Sequence, residues 1–132
     1  MKHHYKKSFE QFGKDAVELW RSSGNTRVAF IVSILFLVVT FVLPILRLVP
    51  LASEVPFIAL HYNIYLGVDR FGSLYQIFFI PILGFFFLLL NCFIEILSFR
   101  RQKTLSWFFA ISTPLLQLIL LIAMTLIILI NV

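Results

Sequence analysis

His61, Asn63, Asp69 and Arg70 lie close together in a stretch otherwise dominated by aliphatic and aromatic residues, Val55 to Ser73. A histidine titrates near neutral pH, an aspartate accepts hydrogen bonds or pairs with a cation such as the adjoining arginine, and an asparagine bridges backbone groups through both ends of its amide. With Tyr65 they form a candidate ligand- or partner-binding set. They do not form a metal or catalytic set, because one histidine and one aspartate lack the third ligand or the nucleophile that such sites need. The sequence contains no glycine-rich phosphate loop, no paired cysteines, no Gly-x-Ser-x-Gly and no His-Glu-x-x-His. The expectation is therefore a non-enzymatic protein without cofactor or metal. His3 and His4 beside Lys2 and Lys6 read as solvated polar residues, and the single Cys92, without a partner for an intrachain disulfide, reads as a packing residue.

The elements that carry this stretch follow from composition. Hydrophobic residues make up 61% of the chain and charged residues 13%, where a soluble domain has roughly 25% charged. Three apolar runs, Val28 to Leu46, Leu74 to Phe99 and Leu105 to Ile130, are each long enough to cross a bilayer of about 30 Å as a helix. This predicts an all-α membrane protein of a single domain, 1–132, with spans at 28–48, 74–99 and 105–131. Pro44, Pro81 and Pro114 fall within these runs and predict kinks. Ahead of the first span, Phe9, Phe12, Ala16, Leu19 and Trp20 recur at helical spacing, with Lys14, Asp15, Glu18 and Arg21 on the other faces. Ser8 with Gln11 fits a capping box and Gly24 a stop, so 8–23 reads as an amphipathic interfacial helix.

Charge sets the expected orientation. Nine of the eleven Lys and Arg residues flank the spans on one side: Lys2, Lys6, Lys7, Lys14, Arg21 and Arg27 before the first, Arg100, Arg101 and Lys103 between the second and third. Only Arg47 and Arg70 belong to the segment between the first and second. The positive-inside rule then places the amino terminus in the cytoplasm, and the 49–73 loop and the carboxyl terminus outside. The net charge of +5 is a topology signal and an attraction to anionic lipid, not a nucleic-acid footprint.

Polar residues inside spans need partners. Asn91, Glu95 and Ser98 share one helical face, and Gln117 lies near the middle of the third span. A short antiparallel connection through Arg100 to Lys103 would bring Asn91 or Glu95 to Ser112, Thr113 or Gln117, with Glu95 free to snorkel toward Arg100 or Arg101.

In the loop, Ile58, Leu60, Tyr62, Ile64 and Leu66 alternate with Ala59, His61, Asn63 and Tyr65, the period of an extended strand, and Gly67 to Gly72 reads as the turn into the second span. The series Pro56, His61, Tyr62, Asn63, Gly67, Asp69, Arg70, Phe71, Gly72, Ser73 resembles the extracytoplasmic motif of a small bacterial membrane domain found in immunity proteins of the sporulation-delaying-toxin type. That motif runs Pro-x-His-aromatic-Asn-x-x-Gly-x-x-Asp-x-aromatic-Gly-Ser between two transmembrane helices. Here the proline stands five residues before His61 instead of two, and Gly67 is one position late. The resemblance implies a bacterial plasma-membrane protein of a family in which toxin immunity and signal transduction are known for some members. The expected function is an interaction, immunity-like or sensing subunit acting through the outer loop on a peptide or membrane-protein partner. The alternative is a homo-oligomeric transport or channel subunit using Asn91, Glu95 and Gln117.

Overall fold

The computed structural model describes residues 2–53 and 57–132, and the side chains of 10–51 and 57–132. The helices are α1 (Lys2–Ser22), α2 (Gly24–Arg47), α3 (Phe79–Ser98) and α4 (Lys103–Leu129), and a short 3-10 turn, Leu74–Phe78, leads into α3. Between α2 and that turn lie a second 3-10 turn, Pro50–Ser53, and two strands, β1 (Ile58–Asn63) and β2 (Gly67–Gly72). Three helical segments, Gly24–Arg47, Leu74–Ser98 and Lys103–Leu129, are long and apolar enough to cross a membrane.

The bundle is built around α4, which packs along both α2 and α3, whereas α2 and α3 touch each other much less. The buried positions explain this arrangement. In α3 they are Pro81, Gly84, Leu88, Asn91, Glu95 and Ser98; in α4, Ser106, Ala110, Thr113, Gln117, Met124 and Ile128; in α2, Ser33, Leu37, Thr40 and Pro44. Steps of three and four residues give the seam period of paired helices, and small or polar side chains occupy most of it, as expected where lipid removes any hydrophobic preference for the interior. The large apolar side chains, such as Phe85, Phe86, Leu89, Ile119 and Ile122, point outward.

The three prolines expected to interrupt the spans all fall within helices. Pro81 is the third residue of α3, inside its first turn, where proline is well tolerated, and the 3-10 turn Leu74–Phe78 runs directly into it. Pro44 and Pro114 lie inside α2 and α4.

Two local expectations are corrected at the α1 end. The helix already includes Ser8, so this serine is not its cap; the side chains of His3, His4, Ser8 and Phe9 fall outside the described ones. Nor does Gly24 stop the helix: α1 ends at Ser22, Ser23 caps α2 by accepting from the Thr26 N–H at 3.3 Å, and Gly24 is the first residue of α2. A serine oxygen satisfies a free helix-start donor, and that is why the chain breaks at Ser23.

Helix α1 folds back on the bundle. Phe12 stacks on Phe93 of α3 at 5.5 Å, Trp20 meets Phe30 of α2 edge-on at 5.9 Å, and Leu19 is buried. The guanidinium of Arg100, just past α3, donates to Asp15 through Nε and to Glu18 through Nη2, both at 2.5 Å. The hydrogen bond to Asp15, then the charges of Asp15 and Glu18, push the Arg100 pKa above its already high ordinary value. A raised arginine loses its proton only above that value, so Arg100 holds its end of the clasp throughout the accessible pH range.

Two outcomes follow from this packing. A Cβ at Gly84 would lie 2.9 Å from Gln117 Oε1, 3.1 Å from Leu120 Cδ1 and 3.2 Å from Leu37 Cδ1. Gly84→Val is expected to destabilise the bundle by about 1–3 kcal/mol through overpacking, measured by unfolding in mixed denaturing and native detergent, while the lipid-facing Phe85→Val changes little. Arg100→Gln should expose α1 to limited proteolysis without unfolding the spans. Wild type in about 1 M salt, where exposed charges are screened within about 3 Å, should move toward the same cleavage pattern.

Candidate functional site

Residues 58–72 form a β-hairpin. β1 and β2 pair antiparallel, with Ile58 opposite Gly72, Ala59 opposite Phe71, His61 opposite Arg70, Tyr62 opposite Val68 and Asn63 opposite Gly67. Gly67 to Gly72 is thus the second strand and not the turn; the turn is Ile64, Tyr65 and Leu66, and β1 ends at Asn63. Two backbone features explain the reversal there. The Asn63 side chain accepts from the Tyr65 N–H at 2.9 Å, an Asx-type turn, and Gly67 takes φ +74°, a left-handed conformation open to glycine.

Register irregularities on either side of His61 break the strict alternation expected of a strand. They bring His61 Nδ1 within 2.7 Å of Asp69 Oδ1 across the hairpin. Asp69 therefore pairs with His61, not with Arg70, and Arg70 has no ion-pair partner among the described residues. Pro56 of the sequence motif lies outside the described residues.

The base of the hairpin is tied to the bundle by a residue that sequence reasoning passed over. Asn131, just beyond α4, accepts from the Ala59 N–H through Oδ1 and donates to the Ala59 carbonyl through Nδ2, both at 2.8 Å. Its amide occupies the free edge of β1 as a third strand would. Nδ2 also donates to the Ile127 carbonyl at 2.7 Å, which fixes the side chain's aim. The only available signal was a lone amide directly after an apolar run. Beside it, Leu48, Ile58, Ile77, Met124 and Ile128 form an apolar cluster joining α2, β1, the 3-10 turn before α3, and α4. The hairpin is a fixed extension of the bundle.

What it presents is apolar. Ile64, Tyr65 and Leu66 at the turn are 82%, 92% and 76% exposed, and Tyr62 and Phe71 are exposed as well. Of the candidate binding residues, His61, Asn63 and Asp69 hold one another or the turn, whereas Tyr65 and Arg70 are free to meet a partner. Under the hairpin, a groove of about 990 Å³ runs from His61, Asp69, Arg70 and Ser73 to Gln76, Ile80 and Ile82.

The intramembrane polar residues form a separate set. Asn91 Nδ2 donates to Thr113 Oγ1 at 3.2 Å, one of the partners expected for it, and Gln117 Nε2 donates to the Gly84 carbonyl at 2.7 Å. Glu95 does not reach Arg100 or Arg101; its Oε1 accepts from Thr26 Oγ1 at 3.1 Å, because α2 and not the basic turn lies against that face of α3. Gln117 Oε1 is buried without a hydrogen-bond partner among the described residues. Among the described residues, no three His, Cys, Asp or Glu side chains are grouped to hold a metal ion.

Asn131→Ala is expected to release the edge of β1 and cost about 1–3 kcal/mol locally, since both polar groups of Ala59 lose their partner. Hydrogen exchange at Ala59 should accelerate by on the order of tenfold or more, with Asn131→Asp, which keeps an acceptor and loses the donor, falling between.

Comparisons with protein-family models, with curated proteins and with solved structures return no match for this chain.

Proposed function

We propose that this protein is a non-enzymatic recognition subunit of the plasma membrane that presents its β-hairpin to a peptide or membrane-protein partner on the extracytoplasmic side. The observation that carries this reading is the contrast within the hairpin: a base pinned by Asn131 and the Leu48, Ile58, Ile77, Met124 and Ile128 cluster, and a tip of three consecutive, largely exposed apolar residues. A rigid exposed aromatic loses little conformational entropy on contact, which makes Tyr65 the natural anchor of an interface. The crowding of Lys and Arg at the α1 end, against Arg47 and Arg70 at the hairpin end, supports a cytoplasmic amino terminus and an outward-facing hairpin. On this orientation α1 is an interfacial helix on the cytoplasmic side. The resemblance of the hairpin sequence to toxin-immunity membrane domains supports a peptide toxin as one class of partner.

The transport alternative draws less support. Asn91 and Gln117 are engaged with neighbouring helices, and the apolar cluster closes the hairpin end of the seam in which they lie.

A photo-crosslinking side chain at position 65, activated in native membranes, tests the proposal, with the lipid-facing position 119 as control. A discrete protein or peptide adduct from position 65 alone, abolished by Leu66→Asp in a normally inserted protein, is the expected result. Adducts with lipid only, or the same adducts from both positions, would remove the recognition role.

A further inference from the structure

We propose that the groove under the hairpin binds one phospholipid of the adjoining leaflet, with an anionic headgroup that carries no ammonium. The argument rests on where the groove opens and on which of its charges are already engaged. Its upper wall is the polar flank of the hairpin, and its floor is the start of the span Leu74–Ser98, where Phe79 and Ile82 are exposed on the outer surface of the bundle. The floor therefore continues directly into hydrocarbon. A water-soluble ligand has no use for such an opening, whereas an acyl chain leaves the groove through it without crossing a polar barrier.

Charge selects the headgroup. The Asp69 carboxylate is engaged by His61 at 2.7 Å, and Arg70, beside it in the same wall, has no ion-pair partner among the described residues. Among the described residues that line it, the groove thus offers a guanidinium, suited to a phosphate by its planar fork of donors, and no uncommitted carboxylate for an ammonium. Neutral groups complete the wall. Ser73 precedes the 3-10 turn without a side-chain capping bond, and Gln76 lies one turn further on, so a hydroxyl and an amide face the space beside Arg70. These fit the remaining phosphate oxygens or a glycerol-type headgroup.

This site is independent of a partner at the hairpin tip, and the two readings fail separately. The test is native mass spectrometry of the full chain released from nanodiscs containing equal amounts of phosphatidylglycerol and phosphatidylcholine. Wild type, Arg70→Gln and Arg47→Gln are compared, Arg47 being the other exposed arginine at the hairpin end of the bundle. The expected result is one retained phosphatidylglycerol, preferred over phosphatidylcholine, with retention falling about tenfold in Arg70→Gln, the weight of a charge-assisted hydrogen bond, and unchanged in Arg47→Gln. Equal retention of the two lipids, equal losses in the two variants, or no retained lipid would each overturn the proposal. The last two outcomes would leave only general attraction of anionic lipid to a basic surface, or an occupant that is not a lipid.

Discussion

In hydrocarbon a polar group has no solvent to fall back on, and the arrangement of this bundle follows from that constraint. The simplest remedy is local: Ser33, Thr40, Thr113 and Thr125 each donate to the carbonyl four residues earlier in their own helix. Longer polar side chains reach outside their helix. Asn91 and Gln117 connect α3 and α4, and Glu95 connects α3 and α2 through Thr26. Both α3–α4 bonds involve buried groups with no water-facing alternative, so they set the register of the two helices as well as holding them together. Gly84 is part of the same device, since the Gln117 amide can reach its carbonyl only where no side chain intervenes.

The two ends of the bundle are closed by different physics. At the α1 end the closing contact is electrostatic and exposed, with Arg100 between Asp15 and Glu18, supported by the Phe12–Phe93 and Trp20–Phe30 ring contacts. Exposed ion pairs are weak and salt-sensitive, so α1 is the element that separates from the rest at least cost. At the hairpin end the closing contact is apolar burial plus the paired bonds of Asn131, which leave one edge of β1 covered. A two-stranded hairpin is marginal by itself. Here it borrows its third partner from an amide side chain and its core from α2, α4 and the turn before α3. Stability is thereby concentrated where the exposed tip and the groove are displayed.

Much of the architecture was legible in one dimension because hydrocarbon imposes a single, coarse requirement. A run of apolar residues long enough to cross it must be a helix, whatever surrounds it. That argument located the three spans and the polar face of Asn91 and Glu95, and it found Thr113 among the partners of Asn91. It did not foresee Thr26 as the partner of Glu95 in place of Arg100 or Arg101, because that depends on which helix packs against that face and not on distance along the chain.

The loop shows the same division more sharply. Alternation predicted that the residues from Ile58 onward are extended, and the histidine, asparagine and aspartate stood out as polar groups in need of partners. A strand, however, is defined by its neighbour. The pairing of β1 with Gly67–Gly72, the displaced register that carries His61 to Asp69, and the Asn63 bond that places Tyr65 at the tip exist only once the chain has turned back on itself. The bond from Asn131 to Ala59 spans most of the molecule in sequence and has no local pattern to announce it. The sequence by itself determined which segments belong in lipid, since that is a property of each segment summed over its own residues. Tertiary structure alone decided which polar groups satisfy one another and which, like Arg70, are left to face outward, since that is a property of pairs.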